Sequence, residues 1–518
     1  MMELFVIKIR GKAWTNIMEQ STQNRPDLIS KIIGFFCIAL FAVIILSKCI
    51  YLFDLVPNLI AVVGSVFIVT LCVVVIIKYD YIISKINIFF TRINGIGYGK
   101  LIIFIAIISL ITKFIAVMAF HINSIDDHSD INVYVTTSKE LADYGMVKQY
   151  ANYCNSFSHM FWYAVFLTPV TRLFGISQLA YSIYLSITLT LVCALVFDTM
   201  SFLYSKAIAF SVAFLFCILP SQILLPQYVT HEIASMFFLF IGIWLYFKIS
   251  KQVKKRYLKI IAIVGSFVSF FLCSQMNSIG LIAMIALTII LIIELIRCLS
   301  KRTIMSFAIK IVSLLLIIII GSVIFNAFQI NHSKITREKN NKVLWTLYVG
   351  SNYEHNGEWF PDKKWDDYPE NYSNDEIDDY HMALISQQYK ELISSPQKLL
   401  SLIKHKITVI WGNFSYSIGY TNETIPNESI SKFYNQYLFK PLTFIEYLVL
   451  LLLAVFGLAS LIRNKSAKKE YLIVFTQLYL LGTTSLLLLT ECRNKYTISL
   501  IPIFLIICIA SSSNFEKS

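Results

Sequence analysis

Long apolar runs alternate with short polar segments along most of this 518-residue chain. A run of about 20 apolar residues can cross a bilayer as an α-helix, and the pattern predicts about twelve such helices. Their predicted ranges are 31–51, 55–77, 100–120, 178–203, 207–226, 233–249, 258–273, 278–298, 306–327, 443–462, 470–489 and 497–512. The first run lacks a small-residue cleavage site, so we expect it to be retained as a span. The predicted fold class is an all-α polytopic membrane protein.

The composition agrees with this class. The chain is 57% hydrophobic and 14% charged, with a mean hydropathy of +0.67, whereas soluble proteins carry about 25% charged residues. A net charge of +13 would suit a nucleic-acid partner, but Lys and Arg gather in short connections between the apolar runs. That distribution is the positive-inside pattern of membrane proteins. The expected partner is therefore a lipid bilayer, and no nucleic acid is expected.

The basic connections also predict an orientation. They are 78–100, 248–259, 297–302 and 463–469. All four fall on one side of the membrane if the N-terminus is cytoplasmic, which also puts the C-terminus in the cytoplasm. The polar segments are then predicted to lie on the extracytoplasmic face, at 121–177, 328–442 and 491–496.

The predicted organisation has four parts. They are a cytoplasmic N-terminus and N-terminal transmembrane hairpin at 1–99, a transmembrane core at 100–327, an extracytoplasmic loop subdomain at 328–442, and the last transmembrane helices at 443–518. Within the core, the apolar segment 158–175 contains Pro169 and Arg172, and counting it as a span would invert every later loop. We therefore expect it to be an interfacial helix along the outer surface.

Three aspartates open the first predicted outer loop, directly after the span 100–120. They are Asp126, Asp127 and Asp130. From Asp130, a pattern of Tyr134, Ser138, Leu141 and Gly145 follows at helical spacing, so the first three share a helix face with Asp130 and the glycine ends the helix. The sequence thus predicts a helix that starts at Asp130 and whose apolar side lies on the membrane.

This pattern resembles the first outer loop of the GT-C class of integral-membrane glycosyltransferases. It is most similar to the branch of protein O-mannosyltransferases and lipid A aminoarabinose transferases, which is glycosyltransferase family 39-like. Four further stretches carry the resemblance: the helix ending in Leu173-Phe174-Gly175, the turn with Glu232, LYVGSNYEHNGEWFPD at 347–362 with SSPQKLLSLIKHKITVIW at 394–411, and ECRNKY at 491–496. Together they cover most of residues 100–510.

The sequence departs from that branch at three places. Ile131 stands where the branch often has Glu, which leaves the choice among the three aspartates open. His159 stands where some relatives carry a phosphate-binding Lys, which puts recognition of the donor phosphate in doubt. Two spans, within 31–77, precede the usual first span and suggest an added N-terminal hairpin.

The resemblance implies transfer of a sugar from a polyprenyl-phosphate donor to a cell-envelope glycan, lipid or teichoic acid, outside the cell membrane. An inverting transfer needs a carboxylate base near the acceptor hydroxyl and a cation near the leaving phosphate. The candidate catalytic residues are Asp130, Asp127, Asp126 and Glu232. The candidate substrate-binding residues are Tyr134, His159, Lys404, Lys406, Arg493, Lys495 and Tyr496. Three aspartates could bind a divalent cation, but the branch is metal-independent, so no cofactor is expected.

Three charged residues within spans have simpler expected roles. Lys113 is expected to snorkel outward from its span. Asp198 and Glu294, near inner span ends, are expected to pair with local Lys or Arg.

Two alternatives remain open. One is a polysaccharide polymerase that joins lipid-linked repeat units. The other, from a different class, is a flippase or transporter, which requires paired polar residues near the midplane, broken helices and two related halves. The sequence shows none of these features, because its polar clusters fall at one face.

Overall fold

The computed structural model of this chain describes residues 28–51, 58–125, 129–297, 301–334, 342–367, 369, 372–412, 416–463 and 471–511. Throughout those ranges the regular elements are helices, and only an isolated parallel bridge, Val147 to Ser333, has extended pairing. The helices are α1 (Leu28–Tyr51), α2 (Asn58–Ile77), α3 (Tyr79–Asn94), α4 (Tyr98–Phe120), α5 (Asp130–Tyr144), α6 (Ala151–Ser156), α7 (Ser158–Phe174), α8 (Gln178–Leu203), α9 (Lys206–Ile218), α10 (Pro220–Leu224), α11 (His231–Gln252), α12 (Arg256–Met276), α13 (Gly280–Arg297), α14 (Lys301–Asn331), α15 (Lys342–Ser351), α16 (Lys363–Asp366), α17 (Asn374–Ser394), α18 (Pro396–Ile407), α19 (Tyr416–Thr424), α20 (Glu428–Arg463), α21 (Tyr471–Leu489) and α22 (Ile501–Ala510).

Eight helices in the described part of the chain are long and apolar enough to cross a membrane. The number becomes ten if two bent pairs, Val62–Ile77 with Tyr79–Asn94 and Lys206–Ile218 with Pro220–Gln227, each count as one span. Two shorter apolar helices, Gly280–Ile296 and Asn494–Ala510, cover the remaining predicted ranges. The all-α polytopic class is therefore confirmed, while the count of twelve spans remains a prediction.

Polar contacts gather at the two ends of the helix bundle. At one end, the hydroxyl of Tyr98 from the start of α4 and the ammonium of Lys248 from α11 both donate to Asp198 near the end of α8. The Trp244 indole donates to the same carboxylate at 2.7 Å. Lys310 and Glu294 form a second pair at 2.7 Å. The predicted local pairing of Asp198 and Glu294 is confirmed.

The opposite end carries the segments between α4 and α8. There, Ser124 donates its backbone N–H and its hydroxyl to the side-chain oxygen of Gln178, at 3.0 Å each. The Gln178 amide donates to the carbonyl oxygen of Gln227 at 2.7 Å, which fixes the turn before α11. The bonds hold the start of α8 and the start of α11 beside the chain that leads to α5.

The arrangement of α5 and α7 differs from the prediction in one respect. The helix predicted at 158–175 is present as α7, and Pro169 lies inside it. However, α5 packs along α7, and Phe161, Tyr163 and Leu167 of α7 are completely buried. The apolar side of α5 therefore faces α7 and not the membrane. Two apolar faces on adjacent helices bury more surface against each other than either buries at an interface. The interfacial placement of α7 stays a prediction.

Lys113 does not snorkel, so that prediction is wrong. Its side chain is fully buried, and its ammonium donates to the Ser109 hydroxyl at 2.8 Å and to the Ser109 carbonyl at 3.3 Å. The Ser109 hydroxyl in turn lies 2.9 Å from the Thr190 hydroxyl on α8. Hydrogen-bond acceptors on the same helix and on its neighbour hold the ammonium inside the bundle.

Polar features inside the spans were also underestimated. The chain bends by 61° between α9 and α10, where the N–H of Ser221 donates to Glu446 of α20 at 2.7 Å. Lys48, near the end of α1, is fully buried, and Glu446 is 1% exposed. The prediction that broken helices are missing is therefore wrong, because this bent pair is a broken helix. Pro220 breaks the helix and frees N–H groups, which a carboxylate accepts.

The α15–α18 subdomain (residues 342–407) has a small hydrophobic core of its own, which α15–α17 and the turn between α15 and α16 form. It contains Tyr348, Phe360, Trp365 and Ile385, all at most 5% exposed. The imidazole of His381 stacks on Trp365 and bonds its carbonyl oxygen at 2.8 Å. This packing orders the polar and aromatic segment that the sequence distinguishes from the spans.

The Asp198 cluster gives a test of the bundle end. Asp198→Asn is expected to lower the free energy of unfolding by about 2–3 kcal/mol, because its donors lose a charged acceptor in a largely buried place. The matched control is Asp80→Asn. Its bond to Arg463 measures 2.8 Å but its side chain is 83% exposed, so its loss should be below about 1 kcal/mol. Thermal unfolding of the purified protein in detergent measures both. Equal losses in the two variants would contradict this account.

Candidate functional site

Local sequence fixes the position of Asp130. The hydroxyl of Ser129 accepts the N–H of Ile131 at 3.3 Å and caps α5, so Asp130 is the first helical residue. A carboxylate there is favoured by the positive end of the helix dipole. Gly145 ends the helix at φ 66°, a conformation that suits glycine. The predicted helix start, helix end and shared face are confirmed, with Tyr134, Ser138 and Leu141 buried on that face.

The Asp130 carboxylate is accessible and has two partners. The Tyr153 hydroxyl donates to Oδ1 at 3.1 Å. The Lys495 ammonium lies 3.6 Å from Oδ2, and the two side chains are 36% and 14% exposed for Asp130 and Lys495 respectively. Burial raises the pKa of Tyr153, and the neighbouring Asp130 raises it further, so Tyr153 stays a hydroxyl donor. Asp126 and Asp127 lie outside the described residues.

A buried polar network lies next to this carboxylate. The Tyr134 hydroxyl is 2.9 Å from Nδ1 of His231 at the start of α11. The other ring nitrogen of His231 is 3.6 Å from Oε1 of Glu232 and 3.4 Å from the amide nitrogen of Asn277. Thr230 donates its hydroxyl to Oε2 of Glu232. The network joins α5 to α11 and to the segment between α12 and α13.

Glu232 is the residue of this network that can accept a further hydrogen bond. Its side chain is fully buried, and Oε1 accepts no hydrogen bond from the part of the chain that is described. A buried carboxylate oxygen without a donor is costly. Burial strongly raises the pKa of Tyr134, and Asp130 and then Glu232 add to the effect. Tyr134 therefore lies between the two carboxylates as a neutral hydroxyl.

His159 belongs to the same region, and its role at the donor phosphate stays a prediction. Its ring lies 5.0 Å from the ring of His231, and it is half-buried at the start of α7. Sequence reasoning missed His231, Tyr153 and Asn277. The one signal for His231 is its place directly before Glu232 at a helix start. Tyr153 has no distinguishing pattern, because a separate helix brings it to Asp130.

The two lysines predicted on α18 have different surroundings. Lys404 is exposed. Lys406 is fully buried, and its ammonium donates to the carbonyl oxygens of Leu488 and Thr490 at 2.9 and 2.7 Å. A Cβ atom on Gly357 would lie 2.2 Å from the Lys406 side chain, which explains the glycine. Lys406 thus closes the end of α21 and does not lie on an open surface.

The segment 490–496 connects these parts. The N–H of Glu491 donates to Thr346 at 2.9 Å and the N–H of Cys492 donates to Gly357 at 3.0 Å, so the segment docks on the α15–α18 subdomain. Arg493 pairs with Glu491 at 3.1 Å. Lys495 pairs with Asp130, and its ammonium lies 5.5 Å from the Tyr496 ring centre. The structure therefore brings together Asp130, Tyr134, Glu232, His159, Lys495 and Tyr496, with Arg493 beside them. Lys406 holds α18 to the end of α21, and Lys404 is exposed away from these contacts.

Substitutions of two neighbouring tyrosines, Tyr134 and Tyr163, test the hydrogen bonds of the buried network. Their rings are 4.8 Å apart, but the Tyr163 hydroxyl has no hydrogen-bond partner among the described residues. Tyr134→Phe should lower the free energy of unfolding by about 1–2 kcal/mol, because it leaves a buried imidazole nitrogen without its partner. Tyr163→Phe should be neutral or stabilising for the same physical reason. Thermal unfolding of both variants in one detergent decides this, and a loss in Tyr163→Phe alone would contradict it.

The buried ammonium group of Lys406 should make the free energy of unfolding depend on pH. Burial lowers the pKa of Lys406 from 10.5 to about 8. Between these values the unfolded chain binds more protons than the folded chain, so stability should rise with pH across this window. Lys406→Met removes that rise and leaves two carbonyls without a donor. Denaturation midpoints measured between about pH 7.5 and 9.5 test the slope. Lys404→Met is the control and should keep the wild-type slope; loss of the slope there would refute the assignment.

No family model, no curated protein and no solved structure matches this chain. The likeness to the GT-C class thus depends on the sequence pattern alone, and the site is interpreted from its own geometry.

Proposed function

We propose that this protein is a membrane glycosyltransferase that moves a sugar from a polyprenyl-phosphate donor to a hydroxyl of a cell-envelope acceptor, on the extracytoplasmic face. One observation carries the proposal. Asp130 is an accessible carboxylate at the end of the bundle, with the Tyr153 hydroxyl on one oxygen and the Lys495 ammonium near the other. Such a site offers a base and a cation within one small surface.

The reaction assigns each group a role. The acceptor hydroxyl oxygen attacks the anomeric carbon of the sugar, and Asp130 takes its proton. The bond between that carbon and the phosphate oxygen breaks, and the lipid phosphate leaves with the electron pair. Lys495 stabilises the negative charge of this phosphate. A lipid phosphate is a fair leaving group, so the reaction requires neither a general acid nor a metal ion.

The neighbours of Asp130 suit a base. Tyr153 and Lys495 both interact favourably with the ionised carboxylate, which is the form that accepts a proton. They also hold it in one orientation, and positioning is a large part of such catalysis. When the donor phosphate enters, Lys495 can bind it without a large movement, because its ammonium is already at the site.

The buried network lies next to the proposed catalytic site and holds α5 against α11. Tyr134 is one helical turn after Asp130 and bonds His231, which contacts Glu232. Glu232 has an oxygen that accepts no hydrogen bond in the described part of the chain, and we assign it to a hydroxyl of the donor sugar. Arg493 and Tyr496, on the segment that carries Lys495, complete the proposed substrate site.

The direct test is donor turnover in detergent or nanodiscs, with labelled polyprenyl-phosphate sugars and a cell-envelope lipid extract. Asp130→Asn should lower the rate by at least about 100-fold, because it removes the base. Asp143→Asn, exposed near the other end of α5, is the matched control and should keep the wild-type rate. Asp126→Asn tests the alternative base: loss of transfer there, with Asp130→Asn active, would move the base to Asp126.

A flippase is the second candidate, because the break between α9 and α10 and the buried Lys48 and Glu446 are features of transporters. The protein reconstituted in sealed proteoliposomes separates the two functions, because their bilayer divides two compartments. Movement of the donor across the bilayer without sugar transfer would favour the flippase and reject the transferase.

A further inference from the structure

Trp359 is an exposed aromatic residue in an otherwise well-packed turn. Its side chain is 52% exposed, whereas the next residue, Phe360, is 5% exposed and stacks on His355. The turn is attached to the segment 490–496, because the N–H of Cys492 donates to the Gly357 carbonyl at 3.0 Å. The indole is therefore held at the surface by the packing of its neighbours.

An ion pair lies against this indole. The guanidinium carbon of Arg493 is 5.8 Å from the ring centre of Trp359, and its Nε is 3.1 Å from Oε1 of Glu491. Arg493 and Glu491 are 37% and 12% exposed. A guanidinium has five N–H donors. Among the described residues, the pair with Glu491 engages one of them, and the others can donate to a ligand. The surface combines a flat apolar ring, a donor and an acceptor.

This surface continues into the proposed catalytic site. Arg493 is two residues before Lys495, a span of at most about 7 Å in an extended chain, and Lys495 pairs with Asp130. From the other side, the Tyr153 hydroxyl that donates to Asp130 lies within electrostatic range of Glu491. A ligand on Trp359 would thus reach Asp130 along one continuous face.

Sugar rings have the chemistry that fits. One face of a pyranose presents C–H groups, which pack on an indole, and its rim presents hydroxyls that both donate and accept hydrogen bonds. Arg493 can donate to such hydroxyls and Glu491 can accept from them. The Glu491 charge is balanced by Arg493, and Glu358 pairs with His405 at 2.8 Å, so this surface suits a neutral ligand better than a polyanionic one.

We propose that Trp359, Arg493 and Glu491 form an acceptor subsite that binds a neutral, hydroxyl-rich sugar ring and directs its chain to Asp130. The proposal extends the proposed transferase function, and the role of the bound sugar as the acceptor rests on that function. The competing use of an exposed Trp is anchoring at the bilayer surface. Ion pairs lie around Trp359, and their charged groups need water or polar partners. They therefore favour sugar binding over anchoring in the bilayer.

Oligosaccharide binding tests this subsite without any donor. The full-length protein in nanodiscs is titrated with neutral oligosaccharides of glucose, galactose and N-acetylglucosamine, and saturation-transfer NMR measures binding. Trp359→Ala should weaken binding at least about tenfold, while Trp359→Phe should retain most of it. Tyr372→Ala is the matched control, because Tyr372 is an exposed aromatic residue of the same subdomain at 39% exposure; it should bind like wild type.

The outcomes separate this proposal from the proposed function. Oligosaccharide binding that depends on Trp359, in a wild-type protein that transfers no sugar from any donor, would keep the subsite and reject the transferase. Transfer that depends on Asp130 together with unchanged binding and unchanged acceptor KM in Trp359→Ala would reject the subsite alone. No binding of any oligosaccharide to wild type, or quenching of Trp359 by brominated lipids, would also overturn the subsite, the latter in favour of a membrane anchor.

Discussion

The short link between α21 and α22, from Thr490 to Tyr496, joins several elements at the end of the bundle that carries Asp130. Its backbone is partly buried, and buried N–H and C=O groups must find partners. The N–H groups of Glu491 and Cys492 find them on the α15–α18 subdomain, and the Thr490 carbonyl finds the ammonium of Lys406. The close approach leaves no room for a side chain at Gly350, where a Cβ atom would lie 2.3 Å from the backbone of Thr490.

The docking of this link determines which of two lysine ammonium groups can contact a ligand. Lys406 and Lys495 are both lysines beside a proposed outer site, but Lys406 points its ammonium at backbone carbonyls and Lys495 points its ammonium at a carboxylate. Only the second lies on an accessible surface. Because burial removes a lysine from water, a buried lysine needs fixed acceptors, and the end of α21 supplies them.

Buried polar groups divide the bundle end into two regions. One, around Tyr134, His231 and Glu232, lies under Asp130 and links α5 to α11. The other, around Ser221 and Glu446, fills the break between α9 and α10. The second region exists because a helix end in an apolar bundle exposes N–H groups that side chains must satisfy, and it stabilises a bend. The first region consists of contacts between side chains and lies beside the proposed site.

The sequence alone determined the helical class, the approximate positions of the apolar helices and the start and end of α5, because these depend on local hydrophobicity, on the Ser129 cap and on Gly145. It also indicated Asp130, Glu232 and Lys495 as residues of interest. Only the tertiary structure decided their partners. Tyr153 and His231 reach the site from separate helices, Lys113 turns inward to Ser109, and α5 covers α7. Such contacts join residues far apart in the chain, and burial at each place depends on which helix faces pack together, which no local pattern specifies.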